Sequence, residues 1–329
     1  MSSSPQSGPN YSRRAIWLGI GVIAAGLIYT GFWYYAASEL TKRVNVALTR
    51  MNTDGRRANC EEPVIHGYPF RLGVRCRSVF YEDVKEGVSF QAGATETAAN
   101  IYDPRHVVMK VGSPATALLP FLPPATVRWD GLGVSAELAR PFPTRVSVAG
   151  SNIELLPEAS TNDERSVARI SAGELHARQV EQDVEVATTF QDLQLSDEIV
   201  ANVPPLEGRA LVIVNDGLTM LMDRNIALRG HKGVIEEFVV GVVGQKAGVS
   251  ISGPVEFDHQ GLMTAQLRIK VDDPVGTAKI LAEIFPKAAD AIRSATGMLT
   301  ALGNATVEVR IVRGDAFIGF IPLGKIPPV

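Results

Sequence analysis

Charge disappears from the chain between Arg14 and Glu39. The intervening run Ala15–Ala37, AIWLGIGVIAAGLIYTGFWYYAA, is 23 residues without a charged side chain. At the helical rise it covers about 34 Å, enough to cross a hydrocarbon core of about 30 Å with modest tilt. Trp17 stands near one end, and Tyr29, Phe32, Trp33, Tyr34 and Tyr35 crowd the other, as expected where rings settle at headgroup level. The pattern predicts a transmembrane helix. Beyond it, Leu40, Val44, Ala47, Leu48 and Met51 recur at helical spacing, with Lys42, Arg43 and Arg50 on other faces. The helix is therefore expected to continue outward as an amphipathic stalk over residues 38–52.

After Asn52 the period changes to two. Alternating stretches include GVSFQAGATETA, HVVMKVG, TVRWDGLGVSAELA and RVSVAGSNIELL, and later VARISAGELHA, VEVATTFQDLQL, ALVIVND and VIEEFVVGVV. Gly, Pro, Asn and Asp punctuate them, as in an antiparallel sheet protein. A hairpin is expected over Val249–Val271, with its turn at DHQG, and two closing strands, ATVEVRIV and AFIGFIPL, flank a turn at RGD. Between them a second long helix is expected over 273–302. Asp273 suits its cap, Pro274 its first position and Gly303 its end. Leu281, Ile284, Phe285, Ile292 and Leu299 share one side of it and form the candidate face that covers the sheet or lines an apolar channel. Pro286 should bend this helix by removing a hydrogen bond and crowding the preceding turn.

These elements make an α+β protein, predominantly antiparallel β, with extended curved sheet and a long C-terminal helix packed on or over it. The expected organisation is a disordered cytoplasmic tail (1–14), the transmembrane helix (15–37), the stalk (38–52), a first β-rich unit (53–160) and a second (161–329). The turn-rich stretch ASTNDER, Ala159–Arg165, marks the internal boundary.

The apolar run is long for a cleaved export signal, and Tyr35 stands where a small residue is wanted before a cut after Ala37. An uncleaved anchor is the better reading. Local charges conflict on orientation. Arg13 and Arg14 precede the span, whereas Lys42, Arg43, Arg50, Arg56 and Arg57 follow it. Long downstream domains translocate largely regardless of such charges, however. The two cysteines, Cys60 and Cys76, flank a turn-rich stretch, and a bridge between them would suit an oxidising compartment. An anchor in the inner membrane with the body in the periplasm is therefore expected.

A net charge of −3 with both signs interspersed is not the footprint of a nucleic-acid binder. No zinc spacing joins the five histidines to the cysteines, and neither HExxH nor a phosphate-cradling GxxxxGK[ST] occurs. Asp258 and His259 are adjacent in the hairpin turn, where turn chemistry accounts for them. Asp272 and Asp273 invite a metal reading, but helix capping explains Asp273 better. Arg224, Arg229, His231 and Lys232 form a small basic cluster that reads as a solvated turn. No enzyme activity, cofactor or metal is expected.

GYPFRLGVRC (Gly67–Cys76), the WDGL of Trp129–Leu132, the hairpin ISGPVEFDHQGLMTAQLRIKV and the closing FIGFIPLGKIPPV resemble the alphaproteobacterial family of domain of unknown function 2125. The resemblance runs from the anchor to the last residue. It implies an inner-membrane anchor and a periplasmic body, and no catalytic residues. More loosely, the strand–turn–strand pattern is similar to AsmA-like and TamB-like envelope proteins, which implies a sheet that carries lipid. Two functions are therefore expected as alternatives. One is the handling of lipid or another hydrophobic ligand on an open apolar face. The other is an envelope structural or interaction protein with a sealed β core and a protein partner.

Overall fold

The computed structural model describes residues 11–53, 55–119, 122–157, 166–222, 228–284 and 306–329, together with Ala289, Ile292, Thr296 and Gly297. Its first element, α1 (Tyr11–Met51), is one unbroken helix, so membrane run and stalk are continuous. Ile16, Leu18, Ile23, Leu27 and Ile28 are all more than half exposed, as lipid-facing side chains would be. Further along, Trp33 and Ala37 are buried and Leu40, Val44 and Leu48 half-buried, because this side of the helix meets the sheet.

Twenty strands follow among the described residues, all in one antiparallel sheet. The first ten are β1 (Arg56–Cys60), β2 (Val64–His66), β3 (Arg71–Cys76), β4 (Val79–Asp83), β5 (Val88–Ala92), β6 (Thr95–Asn100), β7 (Asp103–Val111), β8 (Ala115–Leu119), β9 (Leu122–Arg128) and β10 (Gly131–Glu137). They are halves of five bent ribbons, β1/β2, β3/β4, β5/β6, β7/β8 and β9/β10. Each ribbon pairs with the next through both halves: β1 with β4 and β2 with β3, then β4 with β5 and β3 with β6. The same holds for β5 with β8 and β6 with β7, and for β8 with β9 and β7 with β10. The long strand β11 (Arg145–Pro157) receives β10 along its first half and β9 along its second.

The bends align into a crease across the sheet. They fall at Glu61–Pro63, Arg77–Ser78, Gly93–Ala94, Gly112–Pro114, Trp129–Asp130 and Asn152. Backbone bonds bridge it from Gly93 N to Gly112 O and from Gly112 N to Ala94 O. Only glycine fits at position 112, where a Cβ would come within 2.7 Å of the Ala94 carbonyl oxygen. Inside the crease Trp129 packs with Ala92 and Ala115 against Val79, Val111, Val127, Leu132 and Ile153. Its indole N–H donates to Val111 O at 2.9 Å, which satisfies the polar end of a buried ring. Asp130 accepts from the Asn152 side chain at 2.6 Å, so the WDGL motif locks the fifth bend to the sixth. The disulfide Cys60–Cys76 ties the first two ribbons where they enter the crease, as expected from the spacing.

From β11 the sheet continues as a plain meander. It comprises β12 (Ala168–Val180), β13 (Asp183–Leu195), β14 (Leu206–Val214), β15 (Lys232–Val242), β16 (Gly248–Phe257), β17 (Met263–Asp272), β18 (Thr306–Val312), β19 (Asp315–Ile318) and β20 (Ile321–Lys325). Each pairs with its successor. The expected boundary at 159–165 lies outside the described residues, and β11 and β12 on its two sides pair along Arg145–Leu155. A short helix, α2 (Gly217–Met222), seats buried Leu218 at the end of β13. The last strands hold a second small core, Ala265, Val309, Ile311 and Ala316, closed by Ile326 of the tail.

Two expectations about the C-terminal part are corrected. AFIGFIPL is not one strand: it turns at Gly319–Phe320 and forms the β19–β20 hairpin, with Gly319 at φ +57°. The long helix over 273–302 is also not found. Helix α3 (Pro274–Ile284) has 11 residues, capped as expected by Asp273 Oδ1 on Gly276 N at 3.2 Å. Ala289 and Thr296 line the same hollow as Val275 and Ala278. A straight helix would separate Val275 from Thr296 by about 31 Å, so the chain cannot run on along one axis. Nor does α3 lie across the sheet. Thr277 Oγ1 accepts from Gly248 N and donates to Asp272 O, which fixes the helix at the strand ends of β16 and β17.

Candidate apolar face

Strand register turns the period-two pattern into lateral rows. One row crosses ten strands through directly paired residues: Met109, Val134, Val148, Leu175, Thr188, Ala210, Phe238, Ile251, Ile269 and Val307. Every member is apolar except Thr188. A second row runs Leu72, Ala99, Val107, Ala136, Val146, Ala177, Val186, Val212, Ile235 and Gly253. A third runs Leu132, Gly150, Gly173, Phe190, Gly208, Val240, Val249 and Val271. At about 4.8 Å per strand, the first row is about 43 Å long.

No member of the three rows is buried. Leu175 is 44% exposed and Phe238 40% exposed, and among the described residues no large side chain is more than 98% buried. The expected alternative of a sealed β core is therefore not what the sheet forms. Burial is concentrated in the crease, where Leu132 packs, and in the last strands, where Ile269 and Val307 pack; between these ends the row members are half-buried or exposed. Uncovered apolar surface on this scale is unusual for a protein surrounded by water alone.

The opposite face is largely polar. Arg75 pairs with Glu96 at 3.2 Å, Arg169 with Glu154 at 2.6 Å, and Arg178 with Glu185. Arg209 grips Glu237 in a two-pronged contact, Nε to Oε2 at 2.8 Å and Nη2 to Oε1 at 2.6 Å. That pairing raises Arg209 above its ordinary pKa. It also holds Glu237 below its own, through the Arg209 hydrogen bond first. Leu211, Ile213, Val234 and Val239 interrupt this face locally.

At its start the apolar face meets α1. Phe32, Ala36 and Leu40 of the helix and Leu72, Ala99 and Val107 of the sheet line a common hollow of about 510 Å³. The second row thus begins beside helix residues that belong to the apolar run.

Of the residues picked out beforehand, Leu281 and Ile284 are half-buried in α3, and Ile292 is half-buried in a helical position beyond it. Phe285, Pro286 and Leu299 lie outside the described residues. Leu281, Ile284 and Ile292 are not placed along the apolar rows. Asp258 is a turn former: its Oδ1 accepts from Gln260 N at 2.8 Å and Leu262 N at 2.9 Å. Its carboxyl is held below the ordinary range mainly by the Leu262 N–H. Arg229 donates to the Val329 carbonyl and closes the C-terminal tail, while Arg224 lies outside the described residues. Among the described residues no group of three or more His, Cys, Asp or Glu side chains could hold a metal ion.

A long exposed apolar helix, a meander with one uncovered apolar face and one disulfide define a membrane-anchored β protein. Residues 33–327 match the family described as "Uncharacterized protein conserved in bacteria (DUF2125)", and the chain belongs to that family. No curated protein and no solved structure matches it.

Proposed function

We propose that this chain is a non-enzymatic, inner-membrane-anchored periplasmic protein that holds lipid, or another long hydrophobe, along its open apolar face. The observation that carries the reading is the set of cross-strand apolar rows with no buried member, the second of which begins beside α1. A bilayer core two acyl chains deep is about 30 Å thick, so a row of about 43 Å exceeds the length of one chain. Lipid on the rows would remove their exposed carbon from water without a second protein layer. The Cys60–Cys76 bridge supports an oxidising, exported location for the body.

Purified full-length protein should carry lipid detectable by mass spectrometry. Phe238→Ser and Leu175→Asn should each lower that lipid content severalfold while leaving a folded sheet, since both side chains are substantially exposed. Undiminished lipid in both folded variants would remove the function from this face. The orientation is checked separately, with export-dependent reporters fused after Gly55 and after Val329. Both should be active, and activity of a reporter that works only in the cytoplasm would overturn the topology.

A further inference from the structure

The loop Gly67–Arg71, between β2 and β3, folds down against α1 inside the uncharged run. Tyr29 donates its hydroxyl to Pro69 O at 2.6 Å, and Trp33 donates its indole N–H to Arg71 O at 2.9 Å. Thr30 Oγ1 and Tyr68 OH share a hydrogen bond at 2.8 Å, and the Trp33 and Tyr68 rings meet edge to face at 5.4 Å. Along the helix these contacts sit about 6 to 12 Å before Ala37, the last residue of the run. If α1 crosses the bilayer by that run, the loop has to reach the boundary of the hydrocarbon layer.

Most of its carbonyls are paired within the protein. The Gly67 carbonyl accepts from Arg71 N, and the Phe70 carbonyl accepts from Ile101 N in the neighbouring β6–β7 turn. With the Pro69 and Arg71 carbonyls taken by α1, four of the loop's five carbonyls are paired, and Pro69 has no N–H to satisfy. A water-exposed loop has no need of this, whereas lipid offers no partner to a bare carbonyl. The side chains are arranged the opposite way. Tyr68 is 53%, Phe70 67% and Tyr102 79% exposed. Arg71 and Arg105, which follow these aromatic residues in the chain, are exposed, as is Asp103. Exposed aromatic rings with guanidinium groups close in sequence suit the interfacial and phosphate layers of a leaflet.

We propose that the two hairpin ends at 67–71 and 100–103 form an aromatic foot inserted into the leaflet from which α1 emerges. The foot seats the sheet so that its second apolar row starts at the lipid surface. This stands on the α1 contacts and is independent of what occupies the rows.

The test uses the full chain in phosphatidylcholine nanodiscs, with a photoreactive benzophenone side chain at position 70, 102, 238 or 320. Phe320 is fully exposed at the tip of the β19–β20 hairpin and serves as the aqueous control. Positions 70 and 102 should yield lipid adducts severalfold above position 320. Adduct levels at 70 and 102 equal to those at 320 would overturn the foot, and so would adducts to protein in place of lipid. A folded protein with an intact foot but no lipid adduct at position 238 would count against the proposed function and leave the foot standing.

Discussion

The crease and the open rows are made from the same alternation of apolar and polar residues, yet they end in different states. In the crease the bends bring Val79, Val111, Val127, Leu132 and Ile153 around Trp129, Ala92 and Ala115 and bury them. Between β12 and β17 the strands run without that fold, so Phe238 and Leu175 stay exposed and their neighbours along the row are only half-buried. Alternation alone says that one face is apolar; whether the face is sealed depends on a bend that brings it against itself. Tight packing and exposed apolar surface are therefore separate in this protein, with the first concentrated around Trp129 and the second laid out along the rows.

That separation breaks most sharply at Trp129. Trp129→Ala removes a large buried side chain and its bond to Val111 O. It should cost about 3–5 kcal/mol in denaturant unfolding, the range for emptying an aromatic site in a core. By contrast, Phe238→Ser in the rows should cost about 1 kcal/mol or less, the scale of cross-strand side-chain pairs, while reducing bound lipid. Similar losses at the two positions would mean that the rows are a core after all, and the contrast between the regions would fail.

Much of this architecture was legible in the residues, for physical reasons that differ by element. Helix α1 is set by an uncharged run long enough to cross a bilayer, which needs no partner to be recognised. The β16–β17 hairpin was readable because Asp258 and Gly261 suit its turn, and both are used there, Gly261 at φ +83°. Breaks within ribbons were not readable. GVSFQAGATETA alternates through Gly93–Ala94 without interruption, and only the neighbouring ribbon reveals the fold in it. The rows escaped notice because a row is a property of register across many strands, and no single strand carries it. The expected long helix failed for a related reason: apolar spacing of three and four does not fix how far a helix continues along one axis, and α3 ends at Ile284.

The smallest effect should come from the polar face, where Arg209 and Glu237 are 58% and 45% exposed. Their geometry is good, but solvent and salt screen exposed charges, so a double-mutant cycle with Arg209→Ala and Glu237→Ala should give a coupling of about 0.2–1 kcal/mol. The sign with pH follows from the carboxylate. Glu237 is held below its ordinary value of 4.5 by the Arg209 hydrogen bond and, after a smaller opposing effect of burial, by the attraction of the charge. An acid whose pKa is lower in the folded state stabilises fully above its unfolded pKa and loses that contribution as pH falls through the folded value. Coupling should thus be constant near neutrality, decline below about pH 4.5 and shrink as salt is raised. A coupling that exceeded about 2 kcal/mol, or that survived concentrated salt, would show this face to be shielded from water. The polar side would then be the covered one, and the contrast between a solvated polar face and an open apolar face would fail.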